Sequence, residues 1–113
     1  MSAARSRPLV EILLLRRLPE PCCSALARRA GAGELGVEPE IRLLNVSDPE
    51  AAERLHFLGS PTVRVGGRDV EPGAEERSDY VVSCRVYHTG NGFAGHPEEG
   101  WVRNALLREA AQA

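Results

Sequence analysis

Apolar residues fall in short bursts along the chain, separated by proline, glycine and charge. Residues 9–15 read Leu-Val-Glu-Ile-Leu-Leu-Leu, an apolar run interrupted only by Glu11. A run that short and that apolar predicts a central parallel strand covered on both faces. Pro19 and Pro21 follow in a loop and can seed a helix, because proline is tolerated in the first turn. The helix is predicted over residues 22–29, with Leu26 and Ala30 a turn apart on one face, and Gly31, Gly33 and Gly36 end it. Residues 41–46 suit a second strand. Ser47 is the predicted cap of a second helix that runs to about Leu55, with Glu50 three residues on reaching back to it. Residues 56–61 make a tight connection. Residues 62–65 alternate, Gly66-Gly67 turns, and residues 68–70 return, which predicts a hairpin. The polar, acidic stretch 72–79 is expected to be a solvated surface loop. A further strand is predicted over 81–87, a turn at Asn91-Gly92, and a final helix opened by Pro97. In that helix Trp101, Ala105 and Leu106, or Val102 and Leu106, share a face. The fold class expected is α/β, a central mixed sheet with flanking helices.

Bulk properties narrow the functional classes. The chain has 113 residues, enough for one domain, expected over residues 9–110 behind a flexible tail at residues 1–8. Hydrophobic residues make up 42% and charged residues 27%, which excludes a disordered composition. Net charge is −2 and aromatics are 4%, so neither a basic field nor stacking surfaces for nucleic acid exist. No apolar run approaches the length of a membrane span. Arg5 and Arg7 precede an apolar stretch as in a secretory signal. However, Glu11 interrupts that stretch, Arg16 and Arg17 follow it, and no small-residue cleavage site comes next. A cytoplasmic location is therefore expected, where thiols are kept reduced.

The candidate chemistry lies in three cysteines. Cys22 and Cys23 are adjacent, and Cys84 is far off in sequence, so they do not form a disulfide scaffold. A thiol at a helix N-terminus sees unpaired N–H groups and the positive end of the helix dipole, which favour the nucleophilic thiolate. Cys22 or Cys23 is thus a candidate attacking thiol, and Arg16 and Arg17 add positive potential. Neighbouring helix positions hold side chains about 100° apart, so the two bridge each other only through a strained ring. Two other uses stay open. The pair could present soft sulfur to Hg(II), Cu(I) or Zn(II). Alternatively, Cys22 could face solvent while Cys23 packs in the core, with neither taking part in chemistry. Cys84, mid-strand, is expected to be a packed structural thiol, with exchange against the other two as its alternative. Gly31-Ala32-Gly33-Glu34-Leu35-Gly36 has the glycine spacing of a dinucleotide fingerprint, but it follows a helix and precedes a strand, the reverse of what that site needs. His56, His88 and His96 lack metal-ligand spacing and are expected to be surface or capping residues. No cofactor and no metal site is expected.

The element order, βαβ first, then a second helix, a hairpin and a closing helix, is the thioredoxin-type order. Residues 57–73, Phe-Leu-Gly-Ser-Pro-Thr-Val-Arg-Val-Gly-Gly-Arg-Asp-Val-Glu-Pro-Gly, resemble a group of small bacterial thioredoxin-like proteins. Some of these are described as thioredoxin family proteins, some as DF family (seleno)proteins, and a few as organomercurial lyase-like. Ser83-Cys84-Arg85-Val86-Tyr87 and Pro97 with Trp101-Val102-Arg103 resemble the same group, and the similarity covers roughly residues 9–108. The resemblance implies a thioredoxin-like fold in which the bond entering Pro61 is cis and Ser60 faces the cysteines, able to pair with an extended peptide. A cis X-Pro bond is cheap relative to other cis bonds. A trans proline starting an edge strand is the plainer alternative. The activity implied is thiol–disulfide exchange by Cys22 or Cys23, with Ser60 and Pro61 positioning a protein thiol or disulfide partner. This chain departs from the group at one point. Relatives carry Gly-Cys-Pro after the first strand; aligning that proline with Pro19 puts Leu18 at the cysteine and Arg17 at the glycine. A non-catalytic binding module, or soft-metal and mercurial binding through the vicinal cysteines, are the alternatives that this departure keeps in play. Oligomeric state is not set by the sequence.

Overall fold

The apolar run that opens the domain forms strand β1 (Leu9–Leu14), one of the two inner strands of a mixed sheet. The computed structural model describes residues 7–15, 21–32 and 36–112, the side chains of Pro21, Cys22 and Gln112 excepted. Residues 1–6, the expected tail but for its last two positions, lie outside the described residues. So do Arg16, Arg17, Leu18, Pro19 and Gly33. β1 pairs in parallel with β2 (Glu40–Asn45) and antiparallel with β3 (Thr62–Val65). β4 (Arg68–Asp69) pairs antiparallel with β3, giving the strand order β2-β1-β3-β4. Parallel neighbours need a crossover, and helix α1 (Pro21–Gly31) lies in the one between β1 and β2. Helix α2 (Pro49–Leu55) joins β2 to β3, and helix α3 (Glu99–Gln112) closes the chain. The expected α/β class, a mixed sheet with helices, is the one observed.

β1 is apolar without alternation because it is covered on both sides. Val10, Ile12 and Leu14 pack with Val63 and Val65 of β3, with Leu26, Ala27 and Ala30 of α1, and with Val102, Ala105 and Leu106 of α3. Leu13 belongs to a second cluster with Val46, Ala52 of α2 and Phe57. The period of two along a strand divides the residues of β1 between these clusters. The turn between β3 and β4 is Gly66-Gly67, with φ of 62° and 87°. Two successive positive φ values match the twist of a tight hairpin and are open to glycine without steric cost.

Three local expectations change. Asp48, not Ser47, caps α2: its Oδ1 accepts from the Ala51 N–H at 2.8 Å. Pro49 suits the first helical position and holds the residue before it extended, so the capping geometry falls on Asp48. The turn after β5 (Tyr87–Thr89) is Gly90-Asn91, and Gly92 already opens β6 (Gly92–Ala94). Residues 81–86 are not a ladder strand. They make one isolated parallel bridge, Ser60 to Cys84, and β5 with β6 forms a separate two-stranded sheet. The backbone of this segment is spent on the loop before β3, which is why it pairs with no strand. No helix among the described residues is long and apolar enough to cross a membrane.

Leu106 is fully buried where α1, α3 and the sheet meet. Leu106→Ala is expected to lower unfolding free energy by about 2–5 kcal/mol, through lost transfer energy plus a residual cavity. Urea denaturation checks this, and a loss under about 1 kcal/mol would contradict the packing described.

Candidate functional site

The Ser60–Pro61 peptide bond is cis. It opens β3 at the end of the sheet where β1 finishes, since Thr62 is in register with Leu13. The Ser60 Oγ accepts a hydrogen bond from the Leu15 N–H at 3.1 Å, and Leu15 is the residue at which the chain leaves β1 on its way to α1. Gly59 has φ of 120°, and a Cβ there would lie 2.8 Å from the Arg85 Cβ. Glycine is therefore required both by the backbone angle and by the close approach of the 81–85 segment.

That segment is stitched to the loop by its own backbone. The Val81 N–H donates to the Phe57 carbonyl at 3.0 Å, the Ser60 N–H to the Ser83 carbonyl at 2.8 Å, and the Arg85 N–H to the Ser60 carbonyl at 2.9 Å. Both main-chain groups of Ser60 thus have partners within the chain. Arg85 anchors the segment from inside. Its side chain is 1% exposed and forks onto Asp69, Nη1 to Oδ2 at 2.8 Å and Nη2 to Oδ1 at 3.1 Å. It also donates to Glu71 Oε1 at 2.6 Å and to Thr62 Oγ1 at 3.1 Å. Nε is left without a hydrogen-bond partner. Burial works against the guanidinium charge, but the hydrogen bonds and charges of Asp69 and Glu71 outweigh it and hold Arg85 protonated. The guanidinium lies over the Tyr87 ring, 4.3 Å from its centroid. The Tyr87 hydroxyl in turn donates to the Pro61 carbonyl at 2.6 Å. Burial pushes the Tyr87 phenol well up, more than the positive Arg85 pulls it down.

The candidate thiols occupy three different settings. Cys23 is 1% exposed and belongs to the core cluster beneath α1. Its charge, were it ionised, would act on Tyr87. Cys22 is the second residue of α1, but its side chain lies outside the described residues. Cys84 is exposed, in register with Ser60, and is not the packed thiol expected. Extended backbone alternates its side chains, and Arg85 takes the inward position, so Cys84 is turned outward. The acidic stretch 72–79 is mostly exposed, with Asp79 paired to Arg77 at 2.6 Å at the surface, while Glu71 just before it pairs with buried Arg85. The histidines behave as surface or capping residues: His56 ends α2 in the left-handed region with φ of 55°, and His88 stacks edge-on to Phe93. Among the described residues, no group of three or more His, Cys, Asp or Glu side chains could hold a metal ion.

Sequence reasoning marked Ser60 and Pro61 and missed Arg85, Asp69, Glu71 and Tyr87. A signal existed: an arginine inside an otherwise apolar stretch, and two carboxylates two residues apart at the end of the hairpin. Neither element is unusual alone, and only the fold brings them together.

Arg85→Met is expected to destabilise the protein by about 3 kcal/mol or more, because it leaves two carboxylates around an empty partner. Arg85→Lys should recover only part of this, since a lysine cannot fork. Denaturant titration of the two variants checks the order. Tyr87 generates a pH signature as well. Its folded pKa stands above its unfolded one, so its contribution is whole below the ordinary phenol range near pH ~10 and declines as pH rises beyond it. The chain has no lysine to add a competing titration there. Thermal unfolding between neutral and strongly alkaline pH should show this decline in the wild type and a smaller one in Tyr87→Phe. Searches of family models, curated proteins and solved structures found no match to this chain.

Proposed function

We propose that the chain is a thioredoxin-like protein that carries out thiol–disulfide exchange with Cys22. The observation that carries this is the cis Ser60–Pro61 junction at the start of β3, tied by the Ser60 hydroxyl to Leu15, where the chain leaves β1 for α1. A parallel β1–α1–β2 unit, an antiparallel β3–β4 hairpin and a closing α3 support the thioredoxin-like assignment. Cys22 is in the first turn of an eleven-residue helix with no acidic residue in that turn, where unpaired N–H groups and the helix dipole favour a thiolate. Cys23, buried in the core, is shielded from an incoming disulfide. No cofactor is required for the exchange.

A non-catalytic binding module is the second reading. The burial of Cys23 favours it, because it removes the vicinal partner that a dithiol cycle would use and that soft-metal capture would also need. Alkylation kinetics separate the two. In a Cys84→Ser background, Cys22 is expected to react with iodoacetamide at a rate already near its plateau at neutral pH, and the reaction should vanish in Cys22→Ser. A rate that keeps climbing until pH ~8.5 and above, as for an ordinary thiol, would leave the binding module.

A further inference from the structure

We infer that the cavity between the end of α2 and the β3–β4 hairpin binds a small phosphorylated molecule that carries an aromatic ring, of the nucleoside diphosphate class. The cavity has a volume of about 370 Å³, within the range of small-molecule sites. Four arginines line it, Arg54, Arg64, Arg68 and Arg77, in a chain whose net charge is −2. They come from four different places: the last turn of α2, the interior of β3, the start of β4, and the end of the short helical turn Ala74–Glu76. Folding thus brings cations that are distant in sequence to one concavity, where they repel one another and draw an anion.

The carboxylates at the cavity do not cancel this charge. Asp69 gives both of its oxygens to Arg85. Arg77 is matched by Asp79 at 2.6 Å. Glu75 lies 3.9 Å from Arg68 with both side chains exposed, a weak pair in water. Among the described residues, Arg54 and Arg64 have no carboxylate at ion-pair distance. Arg64 sits across the sheet from Glu11, yet its Nη2 donates to the carbonyls of Leu55 and His56 instead. That leaves its Nε and Nη1 donors for a ligand.

A flat wall stands beside the arginines. The His56 and Tyr80 rings, both lining the cavity, stack 8° from parallel with centroids 4.7 Å apart. Backbone bonds fix both. The His56 N–H caps α2 on the Ala52 and Glu53 carbonyls, and the Val81 N–H, next to Tyr80, donates to Phe57. His56 is exposed, so a ligand ring can extend the stack. Guanidinium groups favour phosphate oxygens, and several of them favour more than one phosphate. A nucleoside diphosphate offers the ring and the charge together. It needs one cation cluster and one stacked ring, not the continuous basic field that a nucleic-acid polymer requires. Binding needs no thiol chemistry.

ADP is titrated into the full-length protein by calorimetry, with pyrophosphate and adenosine in parallel. The expected result is that ADP binds, and that each of the other two binds at least roughly tenfold more weakly, since each lacks one half of the contacts. Arg54→Gln and Arg68→Gln, both at exposed positions, should each weaken ADP binding by roughly tenfold, the effect of losing a charge-assisted hydrogen bond. Arg28→Gln, which removes the same charge from an exposed position on α1, should change it by no more than about twofold, because salt screens a distant charge. In the wild type, the ring resonances of His56 and Tyr80 should shift on adding ADP, which reads the site without any variant. No ADP binding at roughly millimolar concentration, or equal weakening by Arg28→Gln and Arg54→Gln, would overturn the site. Pyrophosphate as tight as ADP would overturn the part of the aromatic wall, and adenosine as tight as ADP that of the arginines; either result would overturn the ligand class.

Discussion

The buried guanidinium of Arg85 holds the proline-loop end of this molecule together. It reaches Asp69 at the end of the β3–β4 hairpin, Glu71 just beyond it, and Thr62 at the start of β3. The β3–β4 hairpin and the 81–85 segment, which share no ladder with each other, are thereby fixed around one cation. A charge in that position is stable only with its partners in place, since desolvation opposes it and the paired carboxylates compensate. The aromatic face of Tyr87 completes the shell, and the same residue secures the Pro61 carbonyl.

From this constraint follows the character of the proline loop. With Arg85 pointing inward, Cys84 points outward, and the backbone between Ser83 and Arg85 lies against Ser60. The main-chain N–H and C=O of Ser60 in that loop are consequently satisfied. A glycine at position 59 is what permits so close an approach. Helix α1 is held by packing, with Cys23, Leu26, Ala27 and Ala30 sunk into the core shared with α3, and by an ion pair from Arg29 to Glu99 of α3 at 3.2 Å. One thiol of the vicinal pair is committed to that core.

Much of the architecture could be read along the chain. The apolar run at residues 9–15 and the glycine pair at 66–67 each have a readable cause: burial on both faces, and positive φ. Such features are set by a residue and its immediate neighbours. The errors were of another kind. Residues 81–87 carry the alternation of a strand, yet most of them pair with a loop, because the hydrogen bonds available to them come from residues 57–60 and from no sheet edge.

By itself, the sequence determined the mixed α/β class, the hairpin and the three helices, because propensity, turn chemistry and apolar period act within a few residues. Only the tertiary structure decided that Arg85 is the anchor, that Asp69 and Glu71 are its partners, that Cys84 faces solvent while Cys23 does not, and that Ser60 has no main-chain group to spare. Those outcomes depend on which distant segments share one low-dielectric interior, and a charge placed there selects its partners by geometry that no local pattern records.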